Sequence, residues 1–573
     1  MMWKHDEFKC HIMVKDEIIE LHSSLNHESA FLEFRKSPHP FGERYQWILH
    51  PKTDIVMKET SFTFKHQVNQ NTAMTFNGYQ SWTDTQPLFV KDKMPYLSKY
   101  AKPLVSKYQF DKYGDTLIHP FKHGKGKFHG FTYVSLKEAN HVTLLASCNE
   151  TTGFTIFEYN HQSNLWVITK DNKDIHIEKP TIIFDVIKLE GHEFEVFDEY
   201  AKVMDVKLKT HEQVTGWTSW YYHYQNINET IIHENAKALK ESHAMINLIQ
   251  IDDGYQRKIG DWLDIDEVKF PRGLKMIADE IHQLGFKAGI WLAPCVSQLD
   301  SKLVTLHPEW FLHDEHQNLR LGGGNWGGFA ILDMQNLEVQ DYLRHVFRVM
   351  LDEWGYDMVK LDFLYAACLY PTSTKSRGQL MHETMVFLRS CVGDKLILGC
   401  GVPLASAFGL VDYCRIGCDV GLDYNDKWFM KFMHRERIST YHAINNAISR
   451  APLHGRFFLN DPDVFILRTQ GNVLSKTQKH TLAIINKLTH GLLFTSDDIR
   501  EYDESQLKLF EFCMNHDEIT IKSIDCIEKG VYRLMIMFNH QPQTWWINTE
   551  AKPFRNQSIL LQPYESRSVN NHE

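Results

Sequence analysis

Met358-Val359-Lys360-Leu361-Asp362-Phe363 is a short apolar run that carries a cation and a carboxylate two residues apart. In a β-strand, residues i and i+2 point to the same side, so Lys360 and Asp362 face one place together. Charges at the end of a hydrophobic strand are costly to bury unless they serve each other or a ligand. A site built around Asp362 therefore needs an architecture that gathers several strand ends at one rim.

On either side of this run, from Thr215-Gly216-Trp217 to about residue 500, strand-like runs alternate with amphipathic helical segments, the pattern of a parallel sheet with crossover helices. Candidate strands fall at 217–221, 247–252, 287–292, 358–362, 396–400, 413–417, 455–460 and 492–495. Between the third and fourth, Tyr342, Leu343, Val346, Phe347, Met350 and Leu351 recur at spacings of three and four and make one apolar face. Other helices are expected over 229–243, 274–284, 378–389 and 476–490. Eight strands with helices between them in about 285 residues suit a (β/α)8 TIM barrel, typically about 250 residues; an open doubly wound sheet is the alternative.

Before the barrel, short alternating or β-branched runs at 131–136, 141–147, 153–157 and 181–187 are separated by Asn, Asp and Gly, the signature of an antiparallel β-sandwich. After it, runs at 531–538, 543–547 and 558–561 indicate a small C-terminal antiparallel β-domain. Three domains result, at 1–205, 206–500 and 501–573, with no low-complexity linker between them. The length of 573 residues agrees with that number at roughly 100 to 200 residues per domain.

The net charge of −10 is spread without long same-sign blocks, which leaves no electrostatic footprint for nucleic acid or an anionic membrane and favours a neutral substrate. The opening Met1-Met-Trp-Lys-His-Asp-Glu7 has no apolar signal core, and no apolar stretch approaches the roughly 18 residues that span a bilayer. Ten Cys without a secretory signal read as reduced thiols, so a cytoplasmic protein is expected. The 32 His include no cluster with metal-ligand spacing, so no metal is assigned. Oligomeric state is left open.

Barrel active sites collect at the C-terminal ends of the strands. Read in order, those ends are Trp220 and Tyr221, Asp252-Asp253, Trp291, Lys360 with Asp362, Cys400-Gly401, Arg415 with Asp419, Asp461 with Asp463, and Asp497-Asp498. Any one of these carboxylates could as well cap a helix or pair with a cation; for the set as a whole that reading is the weaker one. Several carboxylates, few cations and several Trp point to glycoside chemistry, in which two carboxyls flank the scissile bond.

Gly216-Trp-Thr-Ser-Trp220, Ile251-Asp-Asp-Gly-Tyr-Gln256, Gly289-Ile-Trp-Leu-Ala-Pro294, Lys360-Leu-Asp-Phe363, Gly399-Cys-Gly-Val-Pro-Leu404, Arg415-Ile-Gly-Cys-Asp419 and Asn460-Asp-Pro-Asp463 together resemble glycoside hydrolase family 36, the α-galactosidase family, in order across the barrel. Asn77-Gly-Tyr-Gln-Ser-Trp82 in the N-terminal domain resembles a motif of the same family. The resemblance implies a retaining double displacement with Asp362 as nucleophile and Asp419 as acid/base, without metal or organic cofactor. Lys360 would favour the ionised Asp362 through opposite charge. Asp423 and Asp426 are rival acids on spacing alone and rank below Asp419 because the motif ends there.

The resemblance further places Asp252 and Asp253 on galactose hydroxyls, Lys360 and Arg415 on other ring hydroxyls, and Trp291 as an apolar wall. The Cys400-Gly401 loop is expected near C2, and Trp82 is placed to close the pocket from the N-terminal domain, with an ordinary place in the sandwich core as its alternative. Gly322-Gly-Gly-Asn-Trp-Gly-Gly328 lacks the Lys-Ser or Lys-Thr of a phosphate loop and reads as a long loop over the barrel mouth, with Trp326 against the sugar or leaving group. Cys295 and the residues from Gly421 to Tyr424 depart from the family pattern, which bears on leaving-group preference. The expected activity is exo-hydrolysis of terminal α-linked galactose from small neutral oligosaccharides of the raffinose or melibiose type. The alternatives are an α-N-acetylgalactosaminidase, a transglycosylase of the raffinose-synthase type and a non-catalytic sugar-binding protein.

Overall fold

The computed structural model describes residues 8–22, 27–430 and 435–570. The opening segment read for a signal core, residues 1–7, lies outside them. The N-terminal part is two seven-stranded sheets packed face to face. Strand Leu165–Lys170 shows why: Trp166, Ile168 and Lys170 are buried while the residues between them are not, the period of two that turns one face inward. Trp47 and Phe184 meet edge to face at 5.3 Å in the resulting core, and Phe64 stacks on Trp166 at 5.9 Å.

One run behaves differently from its reading. The stretch expected as a single strand at 131–136 is split at Thr132, whose φ is 69°. Lys127–Phe131 belongs to the first sheet and Tyr133–Glu138 to the second, so one residue carries the chain across the sandwich. Both halves are buried next to the corner, and nothing in the sequence pattern marks it.

The central sheet is parallel and curls around its helices' inner faces. Its strands are β1 (Val214–Thr218), β2 (Leu248–Ile251), β3 (Lys287–Leu292), β4 (Met358–Leu361), β5 (Leu396–Gly399), β6 (Tyr413–Arg415), β7 (Leu459–Asp461), β8 (Val464–Phe465) and β9 (Leu492–Thr495), paired in the order β7-β6-β5-β4-β3-β2-β1-β9-β8. The strand expected at 455–460 starts later and comes in two pieces. Pro462 has no N–H to donate, Asp463 takes a φ of 78°, and the first piece pairs with β6 while the second pairs with β9. The Gly491 N–H reaches the Asn460 carbonyl at 2.7 Å and draws the circle together.

The principal flanking helices are α1 (Glu229–Glu241), α2 (Gly273–Gln283), α3 (Leu337–Arg348), α4 (Arg377–Val392), α5 (Thr440–Ser449) and α6 (Lys476–Thr489). Asn228 caps α1 by accepting the Ile231 N–H, and α3 buries Val339, Leu343, Val346 and Phe347 as its apolar spacing requires. Residues 322–328 are more ordered than a plain loop: Leu321–Gly323 pairs with Phe329–Ile331, which pairs with Val296–Gln298. A four-stranded antiparallel sheet over Ile519–Glu528, Val531–Phe538, Gln541–Asn548 and Ser566–Asn570 follows the barrel. Among the described residues no helix is long and apolar enough to cross a membrane.

The N-terminal sandwich reaches the barrel rim through the segment 77–82. Arg450, fully buried at the end of α5, donates to Asn77 Oδ1 (3.1 Å), the Gln80 carbonyl (3.2 Å), the Ser81 carbonyl (2.6 Å) and the Ile416 carbonyl (2.9 Å). Ser81 N–H also bonds to the Val402 carbonyl at 2.9 Å. One guanidinium thus ties the sandwich to the loop that follows β6.

Candidate active site

A cavity of about 410 Å³ opens at the C-terminal ends of the strands, lined by Asp252, Asp253, Trp291, Trp326, Lys360, Asp362, Asp419 and Trp82 among others. Other hollows lie on the outer face of the sandwich beside Lys58 and Glu158 (about 550 Å³) and beside Lys479 and Trp545 (about 850 Å³), but neither gathers barrel strand ends.

Asp362 follows the last residue of β4. The chain turns immediately, with Phe363 at φ 54°, so that the Phe363 N–H donates to Asp362 Oδ1 at 2.9 Å while Trp291 Nε1 donates to Oδ2 at 3.0 Å. Both oxygens are therefore oriented by donors, which suits an acceptor-only carboxylate. Lys360 Nζ stands 4.0 Å from Asp362 Oδ2 but 2.9 Å from Asp252 Oδ2. Burial opposes the ammonium's charge, yet Asp252 and Asp362 outweigh it and raise the Lys360 pKa.

Asp252 Oδ2 also accepts from Gln250 Nε2 at 2.8 Å, and its Oδ1 takes the Asp253 N–H at 2.9 Å. Asp253 accepts from Gln256 (2.6 Å), Gln225 (2.8 Å) and the indole of Trp326 (3.0 Å). Burial raises its pKa against those donors. Trp326 thus serves Asp253 as well as the cavity wall.

Asp419 comes from the loop after β6. Its side chain keeps 36% exposure, against 10% for Asp362, so it is the more open of the two. Arg415 Nη1 donates to its Oδ1 at 3.0 Å. The rival acids are engaged elsewhere: Asp423 pairs with Lys427, Asp426 lies 2.7 Å from Arg437, and neither lines the cavity.

Arg415, Cys400 and Gly401, expected to touch the sugar, are set behind the cavity wall instead. Arg415 is 2% exposed and spends its guanidinium on Asp419, Asp461 (3.1 Å) and Asp463 (2.8 Å). The Cys400 Sγ accepts the Trp82 indole N–H at 3.2 Å. A Cβ on Gly401 would come within 2.9 Å of the same ring. That loop holds Trp82 in place. Asp463 is pushed up to about 7 by burial, against the lowering effect of Arg415.

Several cavity residues were not foreseen: Tyr113, Asn325, Glu436, Phe429, Met430 and Ile438. Glu436 is held by Thr83 Oγ1 of the N-terminal part, and Phe429 and Ile438 are half-exposed at the open end. None lies in a periodic element or at a strand end, so pattern reading has no handle on them. Among the described residues no group of three or more His, Cys, Asp and Glu could hold a metal ion.

A cavity with a buried polar end, a half-open apolar end and two carboxylates from different strands of a (β/α)8 barrel has the form of a glycoside-hydrolase site. A melibiase family model matches residues 192–390. The A type blood α-D-galactosamine galactosaminidase of Flavonifractor plautii is 30% identical over 209 residues, 33% of this chain and 19% of that protein. The α-galactosidase AgaA of Geobacillus stearothermophilus is 30% identical over 156 residues, 26% of this chain and 20% of that protein. The chain thus matches only about a fifth of the length of these curated relatives. The fold of the α-galactosidase of Thermus thermophilus, solved with p-nitrophenyl α-D-galactopyranoside, superposes with a TM-score of 0.71 at 22% identity, covering 93% of this chain and 98% of that one. By its fold the chain is similar to this enzyme and to the glycoside hydrolase family 36 α-galactosidase AgaA of Geobacillus stearothermophilus, which superposes with a TM-score of 0.62 at 12% identity.

Proposed function

We propose that the chain is a retaining, exo-acting α-galactosidase that removes terminal α-linked galactose from small oligosaccharides. The observation that carries this reading is that Asp362 and Asp419 open into one cavity from the ends of different strands, Asp362 buried and held by two donors, Asp419 exposed at its side. Asp362 attacks the anomeric carbon as a carboxylate while Asp419 gives its proton to the leaving oxygen; Asp419 then takes a proton from water, which displaces Asp362 from the glycosyl-enzyme. Asp252, Asp253 and Lys360 receive the ring hydroxyls, and the indoles of Trp291, Trp326 and Trp82 cover its apolar faces. Structures of the Thermus thermophilus enzyme in complex with stachyose support an oligosaccharide substrate. We place the domain boundaries at 205/206 and 500/501. The ten cysteines, all free thiols, favour a cytoplasmic setting.

The galactosaminidase among the relatives favours one second reading, an enzyme for a sugar with nitrogen at C2. Assays with p-nitrophenyl α-galactoside, its α-N-acetylgalactosaminide and its α-galactosaminide separate the two. The leading reading expects fastest cleavage of the first, with the α-anomer of galactose released first and no loss on adding a chelator. Absence of cleavage while free galactose still binds would replace the enzyme with a sugar-binding protein.

A further inference from the structure

The interruption between β7 and β8 places Asp463 at φ 78°, a left-handed conformation uncommon for residues other than Gly, Asn and Asp. Its surroundings are specific. Oδ1 lies 2.8 Å from Arg415 Nη2. Oδ2 accepts the Tyr221 hydroxyl and, at 2.8 Å, the N–H of Val420, the residue next to Asp419. The Asp463 N–H in turn donates to Asp461 Oδ1 at 2.8 Å, and Asp461 Oδ2 accepts from Arg415 Nε at 3.1 Å. Arg415, Asp461 and Asp463 are all 2% exposed or less.

We propose that Asp463 is the positioning residue of Asp419, gripping it from two directions: through the Arg415 guanidinium that bonds to Asp419 Oδ1, and through the backbone amide that follows it. The three donors aimed at Asp463 account for the break in the strand. A continuous β7 would keep Pro462 and Asp463 in the ladder and could not turn this carboxylate towards Val420 and Arg415 at once. Asp463 touches no cavity space itself, so its effect passes entirely through Asp419. The proposal rests on Asp419 being the acid/base of an α-galactosidase.

The test is the dependence on leaving group. Dinitrophenolate departs with little help from an acid, whereas methoxide needs the proton as the C–O bond breaks. Wild type, Asp463→Asn and Tyr221→Phe are compared by kcat/KM on methyl α-galactoside and on 2,4-dinitrophenyl α-galactoside. Asp463→Asn is expected to lose about 10²-fold on the methyl glycoside and less than about tenfold on the dinitrophenyl one, with Tyr221→Phe showing a smaller loss of the same selectivity. Equal losses on both substrates would reduce Asp463 to a structural residue and overturn the proposal. Should Asp463→Asn not fold, Tyr221→Phe decides: a selective loss supports the assignment and an unselective one or none removes it. A wild type that cleaves neither substrate would instead bring down the functional reading on which the proposal stands.

Discussion

Lys360 is bonded to Asp252, two strands along the sheet, at 2.9 Å, and only approaches Asp362, its neighbour in sequence, at 4.0 Å. Asp252 is 2% exposed and Lys360 5%. Removing the cation by Lys360→Met would leave a buried carboxylate without its counter-charge, at a cost of about 3 to 5 kcal/mol. Urea denaturation should show that loss, and Asp252→Asn combined with Lys360→Met should recover much of it. Additive losses in the double variant would mean that the pair is not coupled.

Asp362→Gly should lower kcat by about 10⁴-fold or more. Azide fits the space left by the carboxylate and attacks from the same face, so it should restore turnover with β-galactosyl azide as product. Recovery of the β-azide from Asp419→Gly instead would exchange the two roles.

The grip of Arg450 on residues 77–82 ties the cavity to a domain that supplies neither Asp362 nor Asp419. Arg450→Met deletes bonds from a charged donor to Asn77, Gln80, Ser81 and Ile416, each worth roughly 1.5 to 3 kcal/mol and not additive. Trp82 then loses its seat, and kcat/KM should fall by up to about 10²-fold with unchanged far-UV circular dichroism. Full activity in this variant would show that Trp82 keeps its place without Arg450.

His442, the third residue of α5, lies 3.1 Å from Asp84 of the N-terminal part and 3.7 Å from Asp426. Burial opposes its charge, but Asp84 and Asp426 prevail and raise its pKa above 6.5. Its contribution to stability is therefore complete below pH 6.5 and is lost as pH rises through the folded pKa. His442→Gln should cost more stability at about pH 5.5 than at about pH 8.5. A cost independent of pH would mean that the ring is neutral in the fold.

How far the sequence reports this molecule depends on what each residue type must do. The barrel is legible because β2 and β4 are short runs followed directly by carboxylates, residues that a core does not want, and because α3 repeats its buried positions at three and four. Asp252, Asp253, Lys360, Asp362 and Asp419 share the cavity because the strand ends are placed there by topology. Arg415 illustrates the limit: it too sits at a strand end, but its neighbours Asp461 and Asp463 arrive from the next strand and turn it away from the cavity. No single-strand pattern contains that partner. Cys400 and Gly401 likewise take their role from Trp82, more than three hundred positions away in sequence. Glu436, Phe429 and Ile438 each lie outside any strand or long helix, where no periodic pattern reports the direction of a side chain.

The clamp formed by Arg450 also has a consequence in time. Asn77 and Arg450 are 373 positions apart, so at ribosomal rates of about 5 to 20 residues per second the sandwich waits roughly 20 to 75 s for its anchor to be made. During that interval the sandwich can complete its two sheets, since Trp47, Trp166 and Phe184 all lie within it, but the segment carrying Trp82 has nowhere to dock. The barrel in turn closes only when β9 arrives, some forty residues after Arg450. Nascent chains stalled before this point would hold a folded first domain and no assembled cavity, and the pocket would form only late in synthesis.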